Sequence, residues 1–394
     1  MLQLQIVNFK QGSYIIVEGN SNNDKFYIIQ KGAVQCFKSS GSGTQSYLLG
    51  AGDFVGVVPC MSGHSQIETA IAQTDVVLIS VKKEQYPDLI KNNTPVALKI
   101  IKTFANRMRT MNQMLTKATL NSVVSDSAEQ IYKVAEFYEK NMQISIATFA
   151  YYQYLKTKPV GPAADRAKQR FIALRQRVSD VCFEPTKDLT RIYSANTMIF
   201  SEAQSGSDMF IIQAGEVKIT KIVNGTEVTL AILQKGDMFG EMALLENKPR
   251  SACAIAHKDC TLMVINHQNF NHMVTTQPQL ISRLTTTFAE RLWSMYRQLD
   301  NANISDPVNK MLDMLALQLE KQKIVADRIG TSHQTDLTPK DLANMCGIQS
   351  NYQPKAIYDF QQSSNIKIIN GKILIKDCLE IAKLSSFLRK SNEP

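Results

Sequence analysis

Short hydrophobic runs separated by turn residues dominate the chain up to about residue 94. Clear examples are Ser13–Val17, Phe26–Ile29, Ala33–Phe37 and Val76–Val81. Several short runs at such spacing predict antiparallel strands that close into a small barrel or jelly roll. The same layout returns from about Phe183 to His272, where Phe210–Ile212 and Val228–Leu233 are the clearest runs.

The two β-rich regions are copies of each other. Four residue pairs lie 184 positions apart: Glu18 and Glu202, Asp24 and Asp208, Gly52 and Gly236, and Gly56 and Gly240. A repeat of this length indicates an internal duplication of one domain.

Helical periodicity follows each copy. Thr94–Lys117 has apolar residues at helical spacing, 122–155 predicts one or two further helices, and Lys156–Pro162 is a break. Ala163–Val181 then predicts a basic helix. Its basic residues are Arg166, Lys168, Arg170, Arg175 and Arg177. This helix could bind acidic lipid or nucleic acid, but a solvated helix face is the favoured interpretation.

A long helix is predicted from Pro278 to about Asn301. Its apolar residues fall close to a heptad seam, namely Ile281, Leu284, Phe288, Leu292, Met295 and Leu299. Such a seam can pair with a copy of itself or pack onto its own domain. We predict from it a homodimer.

The last part of the chain predicts helices and a hairpin. A helix is expected from Val308 to about Lys323. Thr338 as N-cap with Pro339 at the first helical position starts a short helix, which Gly347 ends. After a second helix, Asn370-Gly371 predicts a tight hairpin turn between Ile366–Ile369 and Lys372–Ile375.

Composition narrows the class of protein. At 394 residues the chain suits two or three domains, and its hydrophobic fraction of 44% is that of a globular protein. No run approaches the roughly 20 apolar residues of a membrane span, and no secretory signal is recognisable, so we expect a cytoplasmic protein without a membrane partner. The seven cysteines form no C-x-x-C pair and are expected to be buried thiols. Since no catalytic constellation or metal-ligand cluster is recognisable, we expect neither an enzyme nor a metal site.

The formal charge of +9 suggests an anionic partner, but its distribution matters more than its size. From Asp306 to Pro394 there are twelve basic and ten acidic residues. The excess therefore lies in the middle of the chain, which counts against a simple DNA-binding function for the C-terminal part.

The segment Gly236–Ala252 carries the clearest chemistry. Gly240 permits a close backbone approach, and amides at the start of the following short helix can point at an anion. Arg250 offers a planar fork for two phosphate oxygens. Since a phosphate would repel Glu241, this carboxylate is better suited to a hydroxyl such as that of a ribose. Phosphate and ribose together suggest a nucleotide.

This segment resembles the phosphate-binding cassette of cyclic nucleotide-binding domains. The matching residues are Phe239, Gly240, Glu241, Met242, Ala243 and Leu244, followed by Arg250, Ser251 and Ala252. The resemblance implies that Glu241 binds the ribose hydroxyl, that Arg250 and Ser251 bind the cyclic phosphate, and that backbone from Gly240 to Ala243 completes the cradle. The expected ligand is cyclic AMP, with cyclic GMP possible. Aligned on Arg291, the positions that meet the base hold Met295 and Tyr296.

The first copy of the cassette has diverged. Val57 stands at the position of the ribose glutamate, and no arginine lies between Val57 and Ala72. His64 could supply a positive charge, although a structural role is the more common one for a lone histidine. We therefore expect the first copy to bind no nucleotide or an altered ligand.

The whole chain resembles the Crp/Fnr (catabolite activator) family with its cyclic nucleotide-binding domain duplicated. The implied α+β fold has two cyclic nucleotide-binding β-roll (jelly-roll-like) domains with long helices and a C-terminal winged helix-turn-helix. Its expected boundaries are 1–120, 121–182 for a helical linker, 183–303 and 304–394.

The resemblance implies a cyclic AMP-responsive, DNA-binding transcription regulator. At the base-reading positions, aligned on Gly347, stand Ser350, Asn351 and Lys355, so the preferred DNA sequence should differ or binding should be weak. Pro354 should shorten the second helix. The alternative is a nucleotide-sensing interaction protein whose winged helix no longer binds duplex DNA.

Overall fold

The computed structural model describes residues 3–40, 43–120, 127–179, 181–186, 188–223, 225–246, 248–322, 324, 328–349 and 351–391. Contacts divide the chain into two compact units. The first comprises Met1–Thr119 together with Met273–Pro394, and the second is Leu120–His272.

The first unit begins with a β-roll. Its strands are β1 (Gln5–Phe9), β2 (Tyr14–Ile16), β3 (Lys25–Lys31), β4 (Val34–Ser40), β5 (Gly43–Leu49), β6 (Phe54–Val55), β7 (Thr69–Ala72) and β8 (Val76–Lys82). They form antiparallel sheets of order β1-β8-β3-β6 and β2-β7-β4-β5, with Ile29, Val34 and Leu78 in the core. Its helices are α1 (Val57–Ser62), α2 (Tyr86–Asn92) and α3 (Thr94–Leu120).

The second unit contains the helical linker and the second β-roll. The linker helices are α4 (Ala128–Lys140), α5 (Ile144–Lys156) and α6 (Pro162–Arg175). The strands are β9 (Thr190–Tyr193), β10 (Met198–Phe200), β11 (Met209–Ala214), β12 (Val217–Val223), β13 (Thr226–Leu233), β14 (Met238–Phe239), β15 (Cys253–Ala256) and β16 (Cys260–Ile265). Helix α7 (Glu241–Glu246) follows β14, and α8 (His267–Thr276) follows β16.

The sheets of the second roll repeat those of the first. Their orders are β14-β11-β16-β9 and β10-β15-β12-β13, so the strand order is conserved between the copies. The pairing is conserved as well, because Val34 faces Ala72 in the first roll and Val217 faces Ala256 in the second. The predicted duplication therefore extends to strand register.

The first unit continues after the second roll. Its elements are α9 (Pro278–Ala302), α10 (Pro307–Lys321), β17 (His333–Gln334), α11 (Pro339–Met345), α12 (Gln353–Gln361), β18 (Ile366–Ile369), β19 (Lys372–Ile375) and α13 (Cys378–Ser391). The strands form a sheet of order β17-β19-β18. This is the predicted order of helix, helix and hairpin.

Local signals explain the ends of these elements. Thr338 and Asp341 form a capping box at the start of α11, and Gly347 after its end has a φ of 68°. Asn370 and Gly371 have φ values of 52° and 77°, as a type I′ hairpin turn requires. Pro354 lies in the first turn of α12, which begins at Gln353, as expected for a shortened helix.

Three expectations need correction or restriction. The basic helix ends at Arg175 rather than at Val181. Cys182 is exposed, so the expectation of buried thiols holds only for the other six cysteines. Within the described ranges, no helix is long and apolar enough to cross a membrane, and no group of three or more His, Cys, Asp or Glu side chains could hold a metal ion.

Four of the six apolar seam residues of α9 are buried inside the chain, whereas Met295 and Leu299 are partly exposed. Ile281, Leu284, Phe288 and Leu292 are at most 2% exposed, and α9 packs against α1 and α2 of the first roll. These four side chains are covered within the chain and do not offer a surface to a second copy. The homodimer stays a prediction.

Candidate cyclic nucleotide site

The cassette of the second roll is formed where β14 leads into α7. Gly240 connects them with a φ of 79°, a conformation that favours glycine. A Cβ added at Gly240 would lie only 2.7 Å from Nη1 of Arg250. Likewise, a Cβ at Gly206 would lie 2.8 Å from Nη2 of Arg250. Two glycines thus leave the space that the guanidinium occupies.

Backbone and aromatic contacts hold Arg250 in this space. Its Nη1 donates a hydrogen bond of 2.8 Å to the carbonyl oxygen of Gly240. The guanidinium carbon lies 4.2 Å from the ring centroid of Phe200 and 5.8 Å from that of Phe210. These contacts fix the plane of the guanidinium and bury Arg250, which is 5% exposed.

No carboxylate neutralises Arg250 among the described residues. The nearby Asp208 is instead paired with Arg191, at 3.1 Å. Nε of Arg250 has no hydrogen-bond partner in the described part of the chain. Burial lowers the pKa of Arg250 to about 10, with the charges of Asp208 and Glu241 opposing the shift, so the group remains charged at neutral pH. A buried, charged guanidinium without a paired carboxylate favours the binding of an anionic ligand.

The other predicted cassette residues surround this cation. Phe239 stacks on Phe210 with ring centroids 5.2 Å apart. Glu241 and Ala243 are each 1% exposed, and both lie in the first turn of α7. Met242 accepts a 3.7 Å hydrogen bond from the hydroxyl of Ser251, which precedes Ala252 at the entrance to β15. The structure therefore places all nine matching cassette residues in one unit.

Comparisons with known proteins agree with this geometry. A sequence profile described as "Cyclic nucleotide-binding domain" matches residues 6–93 and 190–277. A "CRP-like cAMP-activated global transcriptional regulator" from Mycobacterium tuberculosis is 27% identical over 189 residues, which cover 47% of this chain and 83% of the relative. The chain therefore has tandem cyclic nucleotide-binding domains and resembles Crp-like regulators over about half of its length.

Two further similarities are narrower. Human "cGMP-dependent protein kinase 2" is 38% identical over 91 residues, covering 22% of this chain and 12% of the kinase. A solved structure of a CooA variant from Carboxydothermus hydrogenoformans is 19% identical with a TM-score of 0.42, covering 50% of this chain and 87% of that chain.

The first of the two cyclic nucleotide-binding domains has a different cassette. Gln66 stands where the repeat places Arg250, and its Nε2 donates to the carbonyl oxygen of Asn22 at 3.0 Å. Val57 replaces Glu241 at the start of α1. His64 stacks on Trp293 with ring centroids 3.6 Å apart, which agrees with a structural role.

Three polar side chains form a closed network in the first domain. Arg107 on α3 donates a 2.7 Å hydrogen bond to the hydroxyl of Tyr47 and lies 3.6 Å from Glu68. The Tyr47 hydroxyl in turn donates to Glu68 at 2.5 Å. Burial acts to lower the pKa of Arg107, but the charge of Glu68 outweighs it and the pKa is raised. The cation therefore has its counter-ion within the chain.

The repeat reveals what differs in the second domain. Tyr47 faces Cys36 across β5 and β4, and its counterpart Ala231 faces Ile219 across β13 and β12. Glu68 immediately precedes β7 in the first domain, and Ala252 occupies the equivalent position before β15 in the second domain. Two alanines thus replace the tyrosine and the glutamate that fill the first domain. Sequence reasoning missed this contrast, although aligning the two copies residue by residue would have revealed it.

The three predicted base-side residues lie on α9, in the first unit. Tyr296 is placed beside the first domain, where Nζ of Lys38 lies 5.1 Å from its ring centroid. Arg291 and Met295 are partly exposed on the same helix. Their assignment to a nucleotide in the second domain stays a prediction.

Of the predicted DNA-binding residues, Ser350 lies outside the described residues. Asn351 and Lys355 are exposed. Sequence reasoning missed Tyr352 and Tyr358, which are 62% and 63% exposed. Helical spacing was the available signal for Tyr358, because Lys355 and Tyr358 are three positions apart on α12, whereas Asn351 precedes the helix.

Proposed function

We propose that this protein is a cyclic nucleotide-responsive regulator that binds one nucleotide per chain, in the second domain. The observation that carries the proposal is Arg250, a buried guanidinium without a carboxylate partner among the described residues. The first domain lacks such a group and fills the corresponding space with Tyr47 and Glu68. The similarity to a cAMP-activated regulator supports cyclic AMP as the ligand.

Each cassette residue has a role in this proposal. Arg250 and Ser251 bind the cyclic phosphate, and amides of the first turn of α7 add hydrogen bonds to it. Glu241 accepts a hydrogen bond from the ribose hydroxyl. Ala231 and Ala252 leave room for the ligand. No step of this function requires a metal ion or a bond-forming reaction.

Titration calorimetry of the full chain with cyclic AMP and cyclic GMP tests the site. We expect one site per chain, and Arg250→Ala should weaken binding by about 2–5 kcal/mol because the phosphate loses its buried partner. Arg177→Ala is the matched control, since Arg177 is exposed in the same unit. Two equivalent sites, or unchanged affinity in Arg250→Ala, would contradict the proposal.

A second set of variants tests why only one domain binds. The double change Ala231→Tyr with Ala252→Glu copies the side chains of the first domain into the second. The double variant should abolish nucleotide binding. The carboxylate introduced at position 252 would pair with Arg250 and occupy the space proposed for the nucleotide. Thermal unfolding would verify that the variant is folded. Binding at the affinity of the unchanged protein would refute this explanation of selectivity.

For the output, we propose duplex DNA binding by a winged helix-turn-helix formed by α11, α12 and the β18–β19 hairpin. Asn351, just before α12, can read adenine, and Lys355 on α12 can bind a phosphate, with the exposed Tyr358 one helical turn further on. This arrangement lacks the arginine and glutamate contacts expected at the positions of Ser350, Asn351 and Lys355. We therefore expect a different base preference from that of the catabolite activator, leaning towards A·T pairs.

The alternative output is binding to a protein. It is supported by the nearly balanced charge after Asp306 and by the exposed Tyr352 and Tyr358, since aromatic residues are enriched in protein interfaces. Selection of protein-bound DNA from random duplexes, with and without cyclic AMP, distinguishes DNA binding from protein binding. Enrichment that is lost in Lys355→Ala supports DNA binding. No enrichment supports the alternative, and enrichment of the catabolite activator's own operator would refute the predicted preference.

A further inference from the structure

Arg191 lies on the inner face of the second β-roll. It belongs to β9 and pairs with Leu262 on β16, and Tyr193, two positions further along the same strand, packs in the core. The guanidinium carbon of Arg191 lies 5.9 Å from the ring centroid of Phe210, a ring that Arg250 also contacts. The side chain of Arg191 is only 11% exposed. The second domain therefore holds a second, largely buried guanidinium beside that of Arg250.

Asp208 lies beside both arginines but pairs with only one of them. Its backbone oxygen lies 3.1 Å from the position of a Cβ at Gly240, and Nη1 of Arg250 lies 2.7 Å from the same position. The carboxylate of Asp208 nevertheless accepts a hydrogen bond of 3.1 Å from Nη2 of Arg191. A charge-assisted bond between side chains that are mostly shielded from water fixes the carboxylate firmly. Asp208 is thus held next to Arg250 without neutralising it.

This pairing leaves open the edge of Arg250 that a phosphate needs. Nη1 of Arg250 is already used in the bond to the carbonyl oxygen of Gly240. The remaining edge is formed by Nε and Nη2, and Nε has no hydrogen-bond partner among the described residues. Two parallel N–H groups on one edge suit two oxygens of a phosphate or of a carboxylate. A carboxylate free to turn towards Arg250 would therefore compete with the ligand.

The first domain lacks both arginines together. In the repeat, Val7 stands where the second domain has Arg191, and each of them pairs with a leucine of the neighbouring strand. Gln66 stands where the second domain has Arg250, whereas the aspartate is retained as Asp24. The copy without the phosphate arginine thus keeps the carboxylate but not the arginine that occupies it. This difference is expected if Arg191 serves Arg250.

We propose that Arg191 is a positioning residue that holds Asp208 away from Arg250 and so keeps Arg250 available to a phosphate. The proposal rests on the cyclic nucleotide function proposed above and names a residue outside the cassette that sets the affinity of the site. All three residues lie in the compact unit Leu120–His272. Without Arg191, the Asp208 side chain would turn to the nearby buried cation, because an unpaired buried charge is costly. The phosphate would then have to displace a bound carboxylate.

Calorimetric titration of the full chain with cyclic AMP tests this role. Arg191→Met removes the charge but keeps a long side chain, and it should weaken binding about ten-fold or more. Asp208→Asn alone should change the affinity less than about three-fold, because Asp208 is already occupied. The double variant has the net charge of the unchanged protein, and its affinity should return to within about three-fold of the original value. Arg191→Lys keeps the ion pair and should bind like the unchanged protein.

The matched control is Lys258→Met, which breaks an exposed ion pair with Glu216 in the same unit. It should leave the affinity unchanged, because a surface pair contributes little. Thermal unfolding verifies that each variant is folded, and Arg191→Gln takes the place of Arg191→Met if the latter does not fold.

Three calorimetric results would overturn the role of Arg191. Unchanged affinity in Arg191→Met would show that Asp208 does not turn to Arg250. A loss of affinity that Asp208→Asn does not recover would mean that Arg191 contacts the nucleotide itself. Binding that Asp208→Asn alone tightens about ten-fold would mean that the two charges act on the phosphate independently.

Urea unfolding without nucleotide separates this role from the proposed function. Circular dichroism follows the full chain carrying Asp208→Asn with and without Arg250→Met, in the unchanged protein and in Arg191→Met. In the unchanged background the two changes should shift the unfolding midpoint additively. In the Arg191→Met background, Asp208→Asn should lower the midpoint while Arg250 is present but not after Arg250→Met. Additive shifts in both backgrounds would overturn the proposal. If the unchanged protein binds no cyclic nucleotide, the proposed function is refuted, and the unfolding cycle still decides whether Arg191 holds Asp208 away from Arg250.

Discussion

Removing Glu68 should destabilise the first unit strongly. The Glu68→Ala change copies Ala252 of the second domain and leaves Arg107 without its carboxylate. The side chains of Glu68 and Arg107 are 7% and 16% exposed, and their charged atoms are 3.6 Å apart. At an effective dielectric constant near 20, two charges at this distance attract by about 5 kcal/mol.

The expected loss is smaller than the full attraction, because Arg107 keeps its hydrogen bond to Tyr47 and gains water. Breaking one partner of a buried pair typically costs about 3–5 kcal/mol, and we expect a loss of unfolding free energy in this range. The assay is urea unfolding followed by the fluorescence of Trp293, which lies in the same unit.

Two comparisons make the experiment decisive. Adding Arg107→Leu to Glu68→Ala should recover much of the stability, because no unpaired charge then remains buried. Asp75→Ala, which breaks the exposed pair with Lys10, should have little effect. A loss below about 1 kcal/mol in Glu68→Ala, or no recovery in the double variant, would refute the view that Glu68 is the internal counter-ion.

Three further predictions concern other parts of the chain. Thr338→Ala should lower the stability of the first unit by about 0.5–2 kcal/mol, because the capping box of α11 loses its acceptor; unchanged urea unfolding would contradict this. Leu284→Ala should cost about 2–5 kcal/mol by opening a cavity under α9 without changing the mass measured by light scattering; a dimer that dissociates in this variant would restore the seam as an interface. Cys182 should react rapidly with a thiol reagent, whereas burial raises the pKa of the other six thiols and slows them; several fast thiols in the folded protein would be inconsistent with this burial.

Much of the architecture follows from local sequence signals. The alternating strands, the capping residues of α11 and the Asn370-Gly371 turn were predictable because each depends on a few neighbouring residues. The duplication was visible for the same reason, since copies of one domain keep their glycines and strand lengths. The cassette around Arg250 was also readable, because its residues are close in sequence and their chemistry is specific.

The identity of buried partners was not predictable in this way. The seam of α9 indicated an apolar face but not which surface covers it, since Leu284 or Leu292 can pack equally well against a second chain or a distant domain. Glu68 and Arg107 are remote in sequence, and only the rolled sheet brings them together. Periodicity reports that a face must be buried, whereas the partner depends on long-range packing. For this reason the sequence by itself predicted the nucleotide site that we propose for the second domain, and only the tertiary structure decided that the first domain is filled by its own side chains and covered by α9.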